Sequence, residues 1–351
     1  MTMSTRELNR ALLARQLLLE RVRAPLPRAV ERMGGIQAQY APSSYIALWT
    51  RVEGFERRAL TSALHRRSLV QATLLRGTIH IVSRRDYWPW AEAIREARRA
   101  WLRRAWPKIA ALDLEAAGRV IRAALRAGPR RRDELVALVG KDAWAGAEVE
   151  LVRVPPSGTW ERRRADLYAL AEDWVGPPDA KLEEGVELLV RRYLGAFGPA
   201  RPADIRQWGS LAKDDVEATL ERLKLRRFRD ERGRELVDLP RAPLPDADTP
   251  APVRFLGTFD ATLLAHARRT GILPEEYRPL VFHVKTPHSM PTFLVDGFVA
   301  GAWRVERTMQ KATLRLAQFA PLPRAAKREL VEEGKRLVRW HEDDALSYAV
   351  R

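Results

Sequence analysis

Residues 182–239 read LEEGVELLVRRYLGAFGPARPADIRQWGSLAKDDVEATLERLKLRRFRDERGRELVDL, and their punctuation decides the fold. Apolar side chains recur at helical spacing from Leu182 to Phe197, and Gly198-Pro199 stops that helix. Pro202 suits a first helical position and opens a short helix through Trp208. The pattern predicts a third helix over 214–223, then strands over 225–228 and 235–239 around the turn Asp230-Glu231-Arg232-Gly233. Helix, short helix, helix, hairpin is the order of a winged helix.

Outward from this segment the order recurs. A helix is predicted over 114–127, stopped by Gly128-Pro129, with a short helix over 133–139 and another over 143–151. Pro155-Pro156-Ser157-Gly158 is a turn, and Thr159-Trp160 would begin a strand. The start of the chain fits more loosely. Helices are predicted over 6–21, over 28–33 up to Gly34-Gly35, and from Pro42 to about Val52. Residues 69–82 read as strand and 86–106 as a long Arg-rich helix. Beyond a Pro/Ala/Asp-rich linker at 241–252 the pattern turns to strands. Asp296-Gly297 between two apolar runs is a strong two-residue hairpin signal, residues 312–319 form a further strand, and 324–340 a closing helix. The expected fold class is mainly α with α+β elements. Three tandem winged-helix units would occupy 1–107, 108–178 and 179–242, and a small C-terminal β domain 250–351.

Composition narrows the chemistry. In 351 residues there is no cysteine, which excludes disulfides, thiolate nucleophiles and cysteine-ligated zinc. The six histidines form no HxxxH or HxH pair, so neither a metal nor another cofactor is expected. No apolar run is long enough to span a bilayer and the first residues lack a signal-peptide core, so a cytoplasmic, nucleoid-associated location and no membrane partner are expected. The net charge of +17 points to a polyanion, because each neutralised phosphate releases counterions. The excess of arginine over lysine also follows from a GC-rich genome. Tandem winged helices add weight to the DNA reading. The hairpin carrying Arg226, Arg227, Arg229 and Arg232 is as basic as a phosphate-contacting wing would be, although a merely solvated hairpin has the same composition.

The segment Gly34-Gly35-Ile36-Gln37-Ala38-Gln39-Tyr40 resembles the AlkZ/YcaQ family of winged-helix DNA glycosylases, whose hallmark is an early Gln, one residue, then Gln or Asp. Further matches follow in order: Leu75-Arg76-Gly77-Thr78-Ile79-His80, Phe259-Asp260 with Leu263-Leu264, Val295-Asp296-Gly297 and Gly301-Ala302-Trp303-Arg304. The resemblance implies three winged helices, a C-terminal β domain and excision of N-alkylated bases, including crosslinked ones, from double-stranded DNA. It implies Gln37 and Gln39 as the catalytic pair. Without it, the two glutamines would read as ordinary polar loop residues.

The chemistry fits such a pair. A purine alkylated at N7 is cationic and already a good leaving group. What remains is to stabilise an oxocarbenium-like sugar and hold one water, which an amide carbonyl can do. Residues i and i+2 share a side only in extended chain, and Gly34-Gly35 allows the backbone to leave the helix there. Lys108 is the first lysine in the chain, so no amine near the glutamines supports a lyase step, and hydrolysis alone is expected. Tyr40, Arg76, Thr78, His80 and Arg304 are candidate DNA or lesion contacts. Packing competes for Tyr40 and a structural hydrogen bond for His80. Asp260 is a candidate base, with capping or salt-bridging at the start of a helix over 261–268 the alternative. The resemblance also implies a hairpin that probes the DNA near the lesion, for which the basic turn with His283, Lys285 and His288 is the candidate. A monomer is expected. The competing reading is a non-catalytic winged-helix transcriptional regulator, which leaves the glutamine pair unexplained.

Overall fold

A computed structural model describes residues 1–267, 270–282 and 289–351. Strand β1 (Thr2–Met3) leads into helix α1 (Thr5–Arg15). Ser4 opens α1 as a capping box, accepting from the Glu7 amide at 3.2 Å while its own amide donates to the Glu7 carboxylate at 2.7 Å. The helix stops short of the expected 21, where Leu17 takes a left-handed φ of 58°. Then come α2 (Leu26–Arg32), β2 (Ile36–Gln37), α3 (Ala41–Trp49) and α4 (Arg57–His65). The last is absent from the sequence reading, since only Leu60, Ala63 and Leu64 of it are buried and the apolar signal is thin.

The single strand expected at 69–82 is a hairpin of β3 (Leu69–Thr73) and β4 (Ile79–Ser83). Left-handed Arg76 (φ 54°) and Gly77 (φ 68°) reverse the chain between them. Helices α5 (Arg84–Ala105) and α6 (Leu114–Arg126) precede β5 (Arg130–Arg131), α7 (Arg132–Val139) and α8 (Lys141–Gly146). The next hairpin pairs β6 (Leu151–Arg153) with β7 (Leu167–Leu170), and Thr159 and Trp160 lie in the loop between them rather than in a strand. Ser157 ties that loop. Its hydroxyl accepts from the Asp166 and Leu167 amides at 2.7 and 3.2 Å and donates to the Arg164 carbonyl at 2.6 Å.

After α9 (Ala171–Val175), the segment quoted first folds in its expected order: α10 (Leu182–Phe197), α11 (Pro202–Gly209), α12 (Lys213–Arg222), then the hairpin β8 (Arg226–Asp230) and β9 (Glu235–Asp238). Beyond β10 (Arg254–Leu256), the helix expected from Ala261 is one 3-10 turn, Ala261–Leu263, followed later by α13 (Arg278–Val281). Strands β11 (Thr292–Val295) and β12 (Phe298–Arg307) meet through Asp296-Gly297, both at positive φ as a two-residue hairpin requires. β13 (Lys311–Gln318), α14 (Arg324–His341) and β14 (Ser347–Val350) follow.

The whole is a mixed α/β structure, and its sheets amend the expectation of self-contained units. One six-stranded sheet runs β2-β4-β3-β6-β7-β5. Gln71 and Ala72 of β3 pair with Arg153 and Val152 of β6, so the first two hairpins share a sheet across the expected boundary at 107/108. β1 pairs in parallel with β8, placing the chain start on the later hairpin. A five-stranded sheet, β10-β11-β12-β13-β14, ends the chain. Behind β2, Trp90, Tyr193, Phe197 and Trp208 interleave, with ring centroids 5.4 Å apart for Trp90–Trp208 and 5.3 Å for Tyr193–Trp208. Buried ion pairs lace the elements together. Arg15 meets Asp238 at 2.7 Å with both side chains fully buried, and Arg192 meets Asp86 at 2.7 Å. These arginines therefore serve the interior of the fold rather than its surface.

Candidate active site

The Gln-x-Gln stretch is placed by a backbone reversal. Gly34 (φ 72°) and Gly35 (φ 77°) turn the chain out of α2. A Cβ on Gly35 would stand 2.9 Å from the Trp90 ring, and one on Gly34 3.0 Å from the Phe197 ring, so these positions need glycine twice over. The chain then joins the sheet edge. Ile36 pairs with Ile81, Gln37 with His80, and the Ala38 amide donates to the Ile79 carbonyl at 2.7 Å.

Gln37 is buried, and its Oε1 accepts from Arg76 Nη2 at 3.4 Å. Arg76 is itself anchored by Nη1, which donates to the Trp208 carbonyl at 2.7 Å. Gln39 is exposed, and its Oε1 accepts from the Ile79 amide at 3.1 Å. Each amide oxygen keeps a second lone pair. Two small clefts meet at Gln37. One is lined by Gln16, Arg51, Phe259 and Asp260 among others; the other, equally small, by Arg76, His80 and Trp208. Gln39 lines neither.

His80 is 3% exposed, and its Nδ1 lies 3.1 Å from the Thr78 carbonyl. Burial first, and the neighbouring Arg76 cation second, push its pKa down to about 3 against the opposing pull of that carbonyl. The ring is therefore neutral at pH 7. Because a carbonyl only accepts, Nδ1 carries the proton and Nε2 is left with a lone pair. Thr78 itself donates to the Leu75 carbonyl at 3.0 Å and holds the turn that presents Arg76.

Asp260 borders the same cleft as Gln37, and both of its oxygens are occupied. Arg51 grips it at 2.8 and 2.9 Å, with each side chain 1% exposed, while the Thr262 amide and hydroxyl donate to Oδ1. This is a buried bidentate ion pair joining the turn just after α3 to the C-terminal part of the chain.

The remaining candidates scatter. Tyr40 is 41% exposed, and its hydroxyl accepts from Arg163 at 3.1 Å. In the β8–β9 hairpin, Arg226 pairs with buried Asp238 at 2.7 Å, Arg227 with Glu235, and Arg229 donates to the Gly233 carbonyl at 2.8 Å. Arg232 alone of that set has a side chain without a partner among the described residues. Arg304 pairs with Glu306 at 2.9 Å on the C-terminal sheet. His283, Lys285 and His288 lie outside the described residues. Sequence reasoning passed over Arg51, Arg163 and the carbonyl of Trp208. Only Arg163 had a visible signal, the run Arg162-Arg163-Arg164. Among the described residues, no three metal-ligating side chains cluster.

The model of the AlkZ-like DNA glycosylase family matches residues 30–340. The chain belongs to that family. It is a DNA glycosylase, and the regulator reading is not favoured. Among similar proteins, the interstrand DNA cross-link repair glycosylase of Streptomyces sahachiroi is 23% identical over 328 residues, covering 83% of this chain and 85% of the relative. The solved structure of the Streptomyces sahachiroi DNA glycosylase AlkZ matches with a TM-score of 0.80 at 20% identity, covering 100% of both chains, which places this AlkZ-like chain in the same fold.

Two outcomes are expected. Asp260→Ala strands Arg51 as a buried unpaired cation and lowers stability by about 3–5 kcal/mol in chemical denaturation. A large loss of base release at unchanged stability would instead make Asp260 a participant in the reaction. For His80, the unfolded ring takes up a proton below about pH 6.5, whereas the folded ring does so only near 3. Its stabilising burial is therefore complete above the unfolded pKa and erodes as the pH falls toward 3. The stability advantage of wild type over His80→Gln should narrow between pH 7 and pH 4. A pH-independent difference would show that the ring is not held neutral.

Proposed function

We propose that this protein hydrolyses the N-glycosidic bond of N-alkylated, chiefly N7-alkylated, purines in duplex DNA, acting as a monomer without a lyase step. The observation that carries this is the seating of Gln37. Its side-chain oxygen has one lone pair on Arg76 and one free, at the meeting of two clefts beside a neutral histidine. A free amide lone pair there accepts a hydrogen bond from water and places partial negative charge where an oxocarbenium-like sugar develops. Gln39, exposed two residues further on, is proposed as the second member of the pair. Arg76 is a positioning residue that fixes which end of the Gln37 amide faces the cleft. The leaving base is cationic before the reaction begins, so no strong acid is required, in keeping with two amides in place of a carboxylic acid.

Hydrolysis alone is proposed because, among the described residues, no lysine borders either cleft. The relative from Streptomyces sahachiroi is named for cross-link repair, and the same substrate class is proposed here. The clefts are small and Gln39 stands outside them, so selection rests on charge and lability of the adduct more than on its enclosure. Segments 1–107, 108–178 and 179–242 are read as three winged helices and 250–351 as a β domain, in support of which stands the repeated order of helices followed by a hairpin.

The test is base release from a duplex containing N7-methylguanine, and from a crosslinked duplex, under single-turnover conditions. Gln37→Ala is expected to lose about 10²–10³ in rate, the usual cost of removing one preorganised dipole, and Gln39→Ala a comparable factor, with DNA affinity retained in both. Wild-type protein that binds both duplexes and releases no base would sink the reading.

A further inference from the structure

The charge that remains unspent after folding marks a surface that the sequence reading did not assign. The arginines of the β8–β9 hairpin are largely neutralised by their own neighbours. The loop between β6 and β7 is the reverse case. Arg131, Ser157, Arg162, Arg163, Arg164 and Asp166 border one concavity of about 690 Å³, open to solvent. Its one carboxylate, Asp166, is taken by Arg164 at 2.8 Å, and Ser157 is spent on closing the loop. Arg131, Arg162 and Arg163 have no ion-pair partner among the described residues, and all three are exposed. Three unpaired guanidiniums around one hollow attract an anion, and their planar forks suit phosphate oxygens.

The loop is also held in place rather than free. Trp160 is buried against Tyr45, Trp340 and His341, with ring centroids 5.7, 5.5 and 5.0 Å away. Arg163 donates to the Tyr40 hydroxyl at 3.1 Å, and Tyr40 is the residue after Gln39. The hollow is thus fastened both to the protein core and to the end of the Gln-x-Gln stretch.

We infer that this loop and Arg131 form a clamp for a backbone phosphate of the duplex, beside the Gln37–Gln39 stretch. Its role is positioning: a phosphodiester seated on Arg131, Arg162 and Arg163 fixes how far the DNA slides past the clefts. The inference rests on the glycosylase reading for its ligand, duplex DNA, but its test reads binding alone.

The experiment measures binding of fluorescein-labelled undamaged duplex to full-length protein across a salt series. The variants are Arg162→Gln/Arg163→Gln and the triple variant that adds Arg131→Gln. Each phosphate contact contributes about 0.9 to the slope of log affinity against log salt. The double variant should bind at least several-fold more weakly at low salt with a shallower slope, and the triple variant more so. The control Arg119→Gln removes an exposed arginine already paired with Glu115, and should leave the slope unchanged. Matching thermal midpoints for all proteins exclude misfolding. Unchanged affinity and slope in the triple variant would overturn the clamp, as would an equal loss in the control. A wild type inactive in base release would leave this binding result intact, so the two readings fail separately.

Discussion

The site depends on one short pairing: Ile36 and Gln37 against Ile81 and His80 at the edge of the six-stranded sheet. Two residues make a weak strand alone. Here the pairing is over-determined from both sides. Before it, two left-handed glycines are pressed against the rings of Trp90 and Phe197, so the chain has one way to enter the sheet. After it, the Ala38 amide and the Gln39 side chain take the Ile79 carbonyl and amide in turn. A buried glutamine so held loses little further freedom when a substrate arrives, which is what preorganised dipoles require.

Electrostatics around this strand divide into spent and unspent charge. Arg51 with Asp260, Arg15 with Asp238 and Arg192 with Asp86 are interior fastenings, each removing an arginine from any account of DNA binding. His80 is kept neutral by burial and by the Arg76 cation, so the wall of the cleft adds no second positive charge, which suits the proposed oxocarbenium-like sugar. What is left for the polyanion is the arginines without such interior partners, and their places matter as much as the net charge of +17.

The sequence showed the quoted segment most clearly, because helix stops, proline starts and the turn at 230–233 are local signals. α10 spans the expected residues. The DG hairpin at Asp296-Gly297 was legible for the same reason. What stayed hidden depends on distant partners. Nothing local in Leu151 or Leu167 says that these strands extend the sheet of β3, and the loop closed by Ser157 looked like the start of a strand. The site divides likewise. Gln37 and Gln39 are candidates through family resemblance, and composition alone would have passed them by. Asp260 was legible as a residue, but the grip of Arg51, more than two hundred positions away, was not. The hairpin arginines 226 and 227 looked free because cross-strand partners are invisible before the register is known.

The most direct test is a crystal structure of the protein on a duplex bearing a cationic aza-sugar, a stable mimic of the oxocarbenium-like sugar, at the lesion position. The account predicts the ring at the meeting of the two clefts, with a water or the ring nitrogen within about 3 Å of Gln37 Oε1, the usual reach of a catalytic hydrogen bond. A mimic seated elsewhere on the protein, with Gln37 still buried against Arg76 and untouched, would contradict it.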